Sequence, residues 1–226
     1  MSKLKQVAAA LAFAACAGST HAAYLPVGVQ NDVALATVTN TWGWTQISTS
    51  NYGGGLSIAD LFKDHGKYVM IGAMHQGSGV IDVLAGALYS EVTKYTAHNI
   101  TNAANDVNWY FNGYSMGFAG AGDQICQSSA DTCGESERDR LSWHTSQSVN
   151  QWNQNVALAP DFVFNGWRSG NNTWIYNNTD WVRVVFTADS LADPTAAVVP
   201  EPTTLALFGL GLAGLAMRRR KAAKQA

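Results

Sequence analysis

The sequence predicts a mainly β protein: an antiparallel β-sandwich or jelly-roll-like body with one short helix, set between an N-terminal signal helix and a C-terminal transmembrane helix. Three observations carry this expectation. Short alternating or wholly apolar segments recur between Gly/Asn-rich breaks, with no regular βαβ alternation. An apolar stretch with a charged start opens the chain, and another closes it against a run of arginines. The body between them, roughly Ala23 to Val198, is long enough to bury one core of its own.

The first 22 residues read as a secretory signal peptide. Lys3 and Lys5 supply its charge, Val7 to Ala17 its apolar stretch and Thr20-His21-Ala22 a small-residue cleavage site, so the mature chain is expected to start at Ala23. Phe13-Ala-Ala-Cys16 offers a lipobox-like alternative, but Phe is a poor first residue there and a second anchor would be redundant. Loss of Cys16 leaves Cys126 and Cys133, which are expected to pair in an oxidising compartment. So short a closed loop would add about 2 to 3 kcal/mol, chiefly by restricting the unfolded chain. A zinc site would need about four ligands, and none are offered at suitable spacing.

Along the body (residues 23–188), Thr37 to Ser48 alternates as a strand or two with Trp42 and Trp44 on one face. Asn51-Tyr-Gly-Gly-Gly55 breaks the chain, and Ser57-Ile-Ala-Asp60 is a capping box that opens the one short helix, running to about Asp64. Tyr68 to Met74 is apolar on both faces, as a buried strand is. Val80 to Tyr95 fits both periods, with its preceding turn and Gly86 favouring strand. Val107 to Phe118, Leu141 to Thr145, Trp174 to Tyr176 and Trp181 to Thr187 complete the expected strands, with Trp109, Trp143 and Trp181 in core patterns. Residues 189–199, with Pro194 and small neighbours, read as a linker.

Charge narrows the functional classes. Between Ala23 and Val198 stand seven basic and fifteen acidic residues, so the body carries about eight net negative charges although the whole chain carries −2. Such a surface repels phosphate backbones, which argues against nucleic-acid partners. It suits cations, cationic partners and solubility outside the cell.

Several constellations could carry chemistry. Asp123, Asp131, Glu135, Glu137 and Asp139 crowd around the expected disulfide loop, and carboxylates on a pinned loop could hold calcium through six to eight oxygens. Their spacing matches no EF-hand loop, and a solvated acidic loop explains them equally; no other cofactor is expected. Asn165-Gly-Trp167-Arg168-Ser-Gly-Asn-Asn-Thr-Trp174 reads as a loop in which Trp167 and Trp174 could stack on sugar rings while Arg168 binds hydroxyls; most tryptophans, however, are expected in the core. Gly113-Tyr-Ser115-Met-Gly117 matches a nucleophile elbow, with Asp131 and His144 following in hydrolase order. The elbow needs a helix next, and Phe118-Ala-Gly-Ala-Gly-Asp123 cannot form one, so glycines for close strand packing account for the same letters. The body is therefore expected to be non-enzymatic, with a secreted serine hydrolase using Ser115 as an alternative. His65, His75, His98 and His144 lack metal-ligand spacing.

The tail is the most specific stretch. Val199-Pro200-Glu201-Pro202 precedes an uncharged apolar run to Met217, with a transmembrane helix expected at about 204–217, and Arg218, Arg219, Arg220 and Lys221 begin a basic end, residues 218–226. Gly209-Leu-Gly211-Leu-Ala-Gly214 spells a dinucleotide fingerprint, but its uniformly apolar flanks point to helix packing instead. In its three parts and their order the segment 200–226 resembles the PEP-CTERM sorting signal of Gram-negative bacteria. The resemblance implies export through the secretion machinery and a transient membrane anchor with a cytoplasmic C-terminus. It also implies recognition by an exosortase at Pro200, Glu201 and Pro202, and a final place at the cell surface or in an extracellular matrix or biofilm with exopolysaccharide. A carbohydrate- or calcium-binding matrix module is the alternative for the body.

Overall fold

Eleven strands among the described residues form two antiparallel sheets. A computed structural model describes residues 22–97, 100–123, 125, 137–147, 159–175 and 178–192, so the expected leader, Cys126, Cys133, Asp131, Glu135, the expected transmembrane helix and the whole sorting motif lie outside them. The strands are β1 (Gln30–Ala34), β2 (Thr45–Asn51), β3 (Leu56–Ser57), β4 (Tyr68–His75), β5 (Val80–Leu88), β6 (Asn102–Ala104), β7 (Val107–Phe111), β8 (Ser115–Gly120), β9 (Arg140–Ser146), β10 (Phe162–Ser169) and β11 (Trp181–Ala188). One sheet has the order β1-β5-β4-β11-β2 and the other β3-β10-β9-β8-β7-β6. The expectation of a mainly β, antiparallel chain with few short helices is met. Within the second sheet β6 to β10 follow one another as a meander, where a jelly roll would weave strands between sheets in Greek keys. Among the described residues no helix is long and apolar enough to cross a membrane.

Alternation along the strands sorts the side chains into three layers. Val69, Ile71, Val83, Ala85 and Val185 of the first sheet meet Trp109, Phe111, Met116, Phe118, Leu141 and Trp143 of the second in one apolar core. The far face of the first sheet is apolar too: Met70, Met74, Ile81, Leu84, Val182, Val184 and Phe186 pack beneath Ala23, Val38 and Trp44. That is why Tyr68 to Met74 reads as apolar on both sides. The far face of the second sheet differs in kind, carrying Ser115, Ser142, His144, Ser146, Asn165 and Arg168, all buried. Their shared side follows from the register, which sets Ser115 and Asn165 opposite His144 and Arg168 opposite Ser142, while Met116 pairs with the core residue Trp143.

Other expectations need correction. Thr37–Thr41 forms a π-helical turn, not a strand: Trp42 N–H donates to Thr37 O at 2.8 Å and Trp44 N–H to Val38 O at 3.1 Å. Burying Val38 and Trp44 against the first sheet outweighs the β propensity of the Thr/Val run. Val107 to Phe118 is two strands, because Asn112, Gly113 and Tyr114 turn the chain and the Asn112 side chain accepts from the backbone N–H of Tyr114 and Ser115. Asn165 to Ser169 belongs to strand β10, not to a loop, and Trp174 lies in no strand. The helix at Ser57 forms as one short turn, Ile58–Leu61, with Ser57 Oγ accepting from Asp60 N–H at 2.9 Å; a second turn, Tyr89–Val92, ends the ambiguous segment after a strand to Leu88.

Polar groups hold the edges of this packing. Arg183 is fully buried beside Tyr52, and its guanidinium donates to the carbonyls of Asn51 at 2.7 Å, Tyr52 at 3.2 Å and Gly54 at 2.8 Å. Burial lowers its pKa to about 10, with Tyr52 opposing. The ends of the body are clasped together: Ala23 bridges Leu191 in parallel, Ala23 N–H donates to Ser190 O at 2.9 Å and Ala192 N–H to Ala23 O at 2.8 Å. The contacts of the body therefore extend through Ala192.

Candidate functional site

The turn after β10 is built from residues whose side chains brace it from below. Ser169 and Asn172 exchange both backbone hydrogen bonds, at 3.0 and 2.9 Å, around Gly170 and Asn171. Gly170 has φ 55°, and a type II′ turn requires that sign at its first central position. Arg168, fully buried, donates from Nε to Gly170 O at 2.6 Å and from Nη2 to Glu137 O at 2.7 Å. Ser169 Oγ donates to the Asp82 carboxylate across the two sheets, and Gly170 N–H donates to Arg140 O at 2.9 Å. Desolvation raises the Asp82 pKa, opposed by the Ser169 hydrogen bond and the Arg138 charge. Arg138 reaches Asp82 at 3.5 Å while its main partner is Asp32 at 2.8 Å.

From this turn the chain curls back and presents an aromatic stack. Trp174 adopts φ 62°, unusual for so bulky a residue, and is 60% exposed. Its ring lies 4.6 Å from Trp167 at 56°, and Trp167 in turn stacks on His144 at 4.7 Å and 27°. Trp167 and Trp174, two of the three candidate ligand-binding residues, are thus in ring contact. Arg168 is not at their surface: β10 continues through Ser169, and the fully buried Arg168 side chain becomes the brace beneath the turn. The signal for the turn, Ser169-Gly-Asn-Asn172, is legible in the sequence. Asp82 as its partner is not, because it comes from a strand of the other sheet.

The other candidates are placed as follows. Ser115 stands opposite His144 in neighbouring strands, 1% exposed, and among the described residues its Oγ has no hydrogen-bond partner; Asp131 lies outside the described residues. The G-x-S-x-G letters run from a hairpin into a strand, where an elbow would lead into a helix. Gly117 is needed because the Tyr110 hydroxyl passes over it to donate to Leu141 O at 2.7 Å; a Cβ there would lie 2.0 Å from that oxygen. Of the acidic candidates, Asp123 and Glu137 flank the buried Arg140, at 3.3 and 3.7 Å, while Asp139 accepts from Asn31 at 2.6 Å. Burial, followed by the neighbouring Glu137, raises the Asp123 pKa against the pull of Arg140. Among the described residues no group of three or more His, Cys, Asp or Glu is placed to hold a metal ion.

The family model of the PEP-CTERM protein-sorting motif matches residues 198–221. This supports an exosortase-sorted extracellular protein, with exosortase as processing partner, and accords with export and a C-terminal membrane-anchoring sorting signal. No curated protein and no solved structure matches the chain.

Proposed function

We propose that the protein is a non-enzymatic component of the cell surface or extracellular matrix, anchored transiently by its tail, released by exosortase near Pro200, Glu201 and Pro202, and retained among exopolysaccharide. The observation that carries this reading is the match at residues 198–221, which begins beyond the clasp of the body at Ala192. Cutting at the Pro-Glu-Pro motif would leave every described strand intact. Its acidic body suits a hydrated matrix and needs no cofactor.

The test is the intact mass of the protein from envelope and matrix fractions. A species starting at Ala23 and ending near Pro200 to Pro202, or carrying an added mass there, is expected. A species in the inner membrane that keeps Arg218, Arg219 and Arg220 would make the tail a permanent anchor and remove exosortase from the account.

A further inference from the structure

Trp174 combines two properties that packing does not explain. Its backbone occupies the left-handed region, which a bulky side chain enters only at a conformational cost, and its indole stands 60% exposed with Trp167 as its ring partner among the described residues. Such strain persists where the surroundings impose it, and here the buried Arg168 and the Ser169–Asp82 link fix the turn that leads into it. The exposed apolar area is about one ring in size and its chain neighbours Asn171, Asn172 and Thr173 are polar, the first two exposed. A patch of that size is too small for a stable protein interface, which buries on the order of 1,000 Å². It has the dimensions of the C–H face of a single pyranose, whose hydroxyls the exposed Asn171 amide can meet.

We infer that Trp174, backed by Trp167 and His144, is a stacking platform for one sugar ring of an extracellular glycan that is uncharged or bears amino groups. The charge restriction follows from the body's net negative charge, which disfavours polyuronates and sulfated chains. The site deepens the matrix reading above and rests on its extracellular placement, but it is tested separately from sorting.

Full-length protein in detergent micelles is titrated with cellohexaose, a chitosan hexamer and an oligoguluronate, following tryptophan fluorescence and calorimetry. Saturable binding of cellohexaose or the chitosan hexamer, with none of the oligoguluronate, is expected, together with at least a tenfold loss in Trp174→Ala. Trp174→Gly separates a functional from a structural indole: it relieves the φ of 62° and is expected to keep or raise Tm while abolishing binding. Absence of binding to both favoured probes, undiminished binding in Trp174→Gly, or a dimer that Trp174→Ala dissociates without changing glycan binding would each overturn the proposal. None of these results alters the mass expected for the sorted protein, so the two readings fail independently.

Discussion

The two sheets turn very different outer faces away from their common core. On the first, Met70, Ile81, Leu84, Val184 and Phe186 are sealed by Val38, Trp44 and the clasped residues Ala23 and Leu191. On the second, Ser115, Ser142, His144, Asn165 and Arg168 are equally buried but polar. The first face gains stability from removing apolar area from water, a gain that tolerates little loss of volume. The second relies on hydrogen bonds made in place, with exceptions such as Ser115 Oγ among the described residues, and it contributes shape: it holds Gly170 and, through the turn, Trp174.

The sharpest way to break this contrast is to remove one filler from the apolar face. Trp44→Ala deletes a 2%-exposed indole and its Nε1 donation to Tyr24 O at 2.7 Å, and is expected to cost about 3 to 5 kcal/mol in urea unfolding. A cost below about 1 kcal/mol would mean that the cover over the first sheet collapses to fill the gap, contrary to a packed layer.

Gly117→Ala probes the polar face by crowding it. The new Cβ would press on Leu141 O and the Tyr110 hydroxyl, for an expected loss of about 1 to 3 kcal/mol. Retention of wild-type stability would show that strands β8 and β9 shift freely, and the close packing assigned to this glycine would fall.

Asp82→Asn probes the seam between the sheets through pH. Because burial raises the folded pKa above the ordinary 3.8, the ionised carboxylate weighs against folding; the penalty sets in as pH rises through the unfolded value and is complete above the folded one. Asn keeps an acceptor for Ser169 without that charge, at the loss of the 3.5 Å approach to Arg138. The variant is expected to be equal to or slightly more stable than wild type at pH 7, by less than about 1 kcal/mol, and to lose any advantage on acidification below the ordinary carboxylate range. An advantage that grows as pH falls would reverse the sign and remove the desolvation argument.

The smallest effect belongs to Ser115→Ala. Its hydroxyl is buried without a hydrogen-bond partner among the described residues, so its removal is expected to be neutral or stabilising by up to about 1 kcal/mol. A clear loss of stability in the same urea titration would show that the hydroxyl has a role the geometry does not reveal.

Legibility in the sequence follows from how much each segment depends on distant partners. Tyr68–His75 and Trp181–Ala188 are legible because their side chains alone declare two buried faces, and Ser57 is legible because its cap closes on Asp60 three residues away. Strand β10 is hidden. Its Gly166 looks like a loop residue, yet a Cβ there would lie 1.7 Å from the Tyr52 ring, supplied by a segment more than a hundred residues earlier. The same holds for the site: the turn chemistry of Gly170 and the presence of Trp167 and Trp174 can be read, while the burial of Arg168 depends on a register with β9 that no local pattern encodes. The sorting tail is the opposite case, a wholly local signal readable without any fold.

The clasp of Ala23 to Leu191 gives the body a polarity. Strand β11 begins at Trp181, seven residues beyond Trp174 and beside His75, and runs its eight residues to Ala188 before reaching the clasp. At about 3.3 Å per residue that is some 26 Å of nearly straight chain. A pull applied at Ala192 therefore acts beyond the far end of β11 from Trp181, and it is borne first by the two hydrogen bonds that join Ala23 to Ser190 and Ala192.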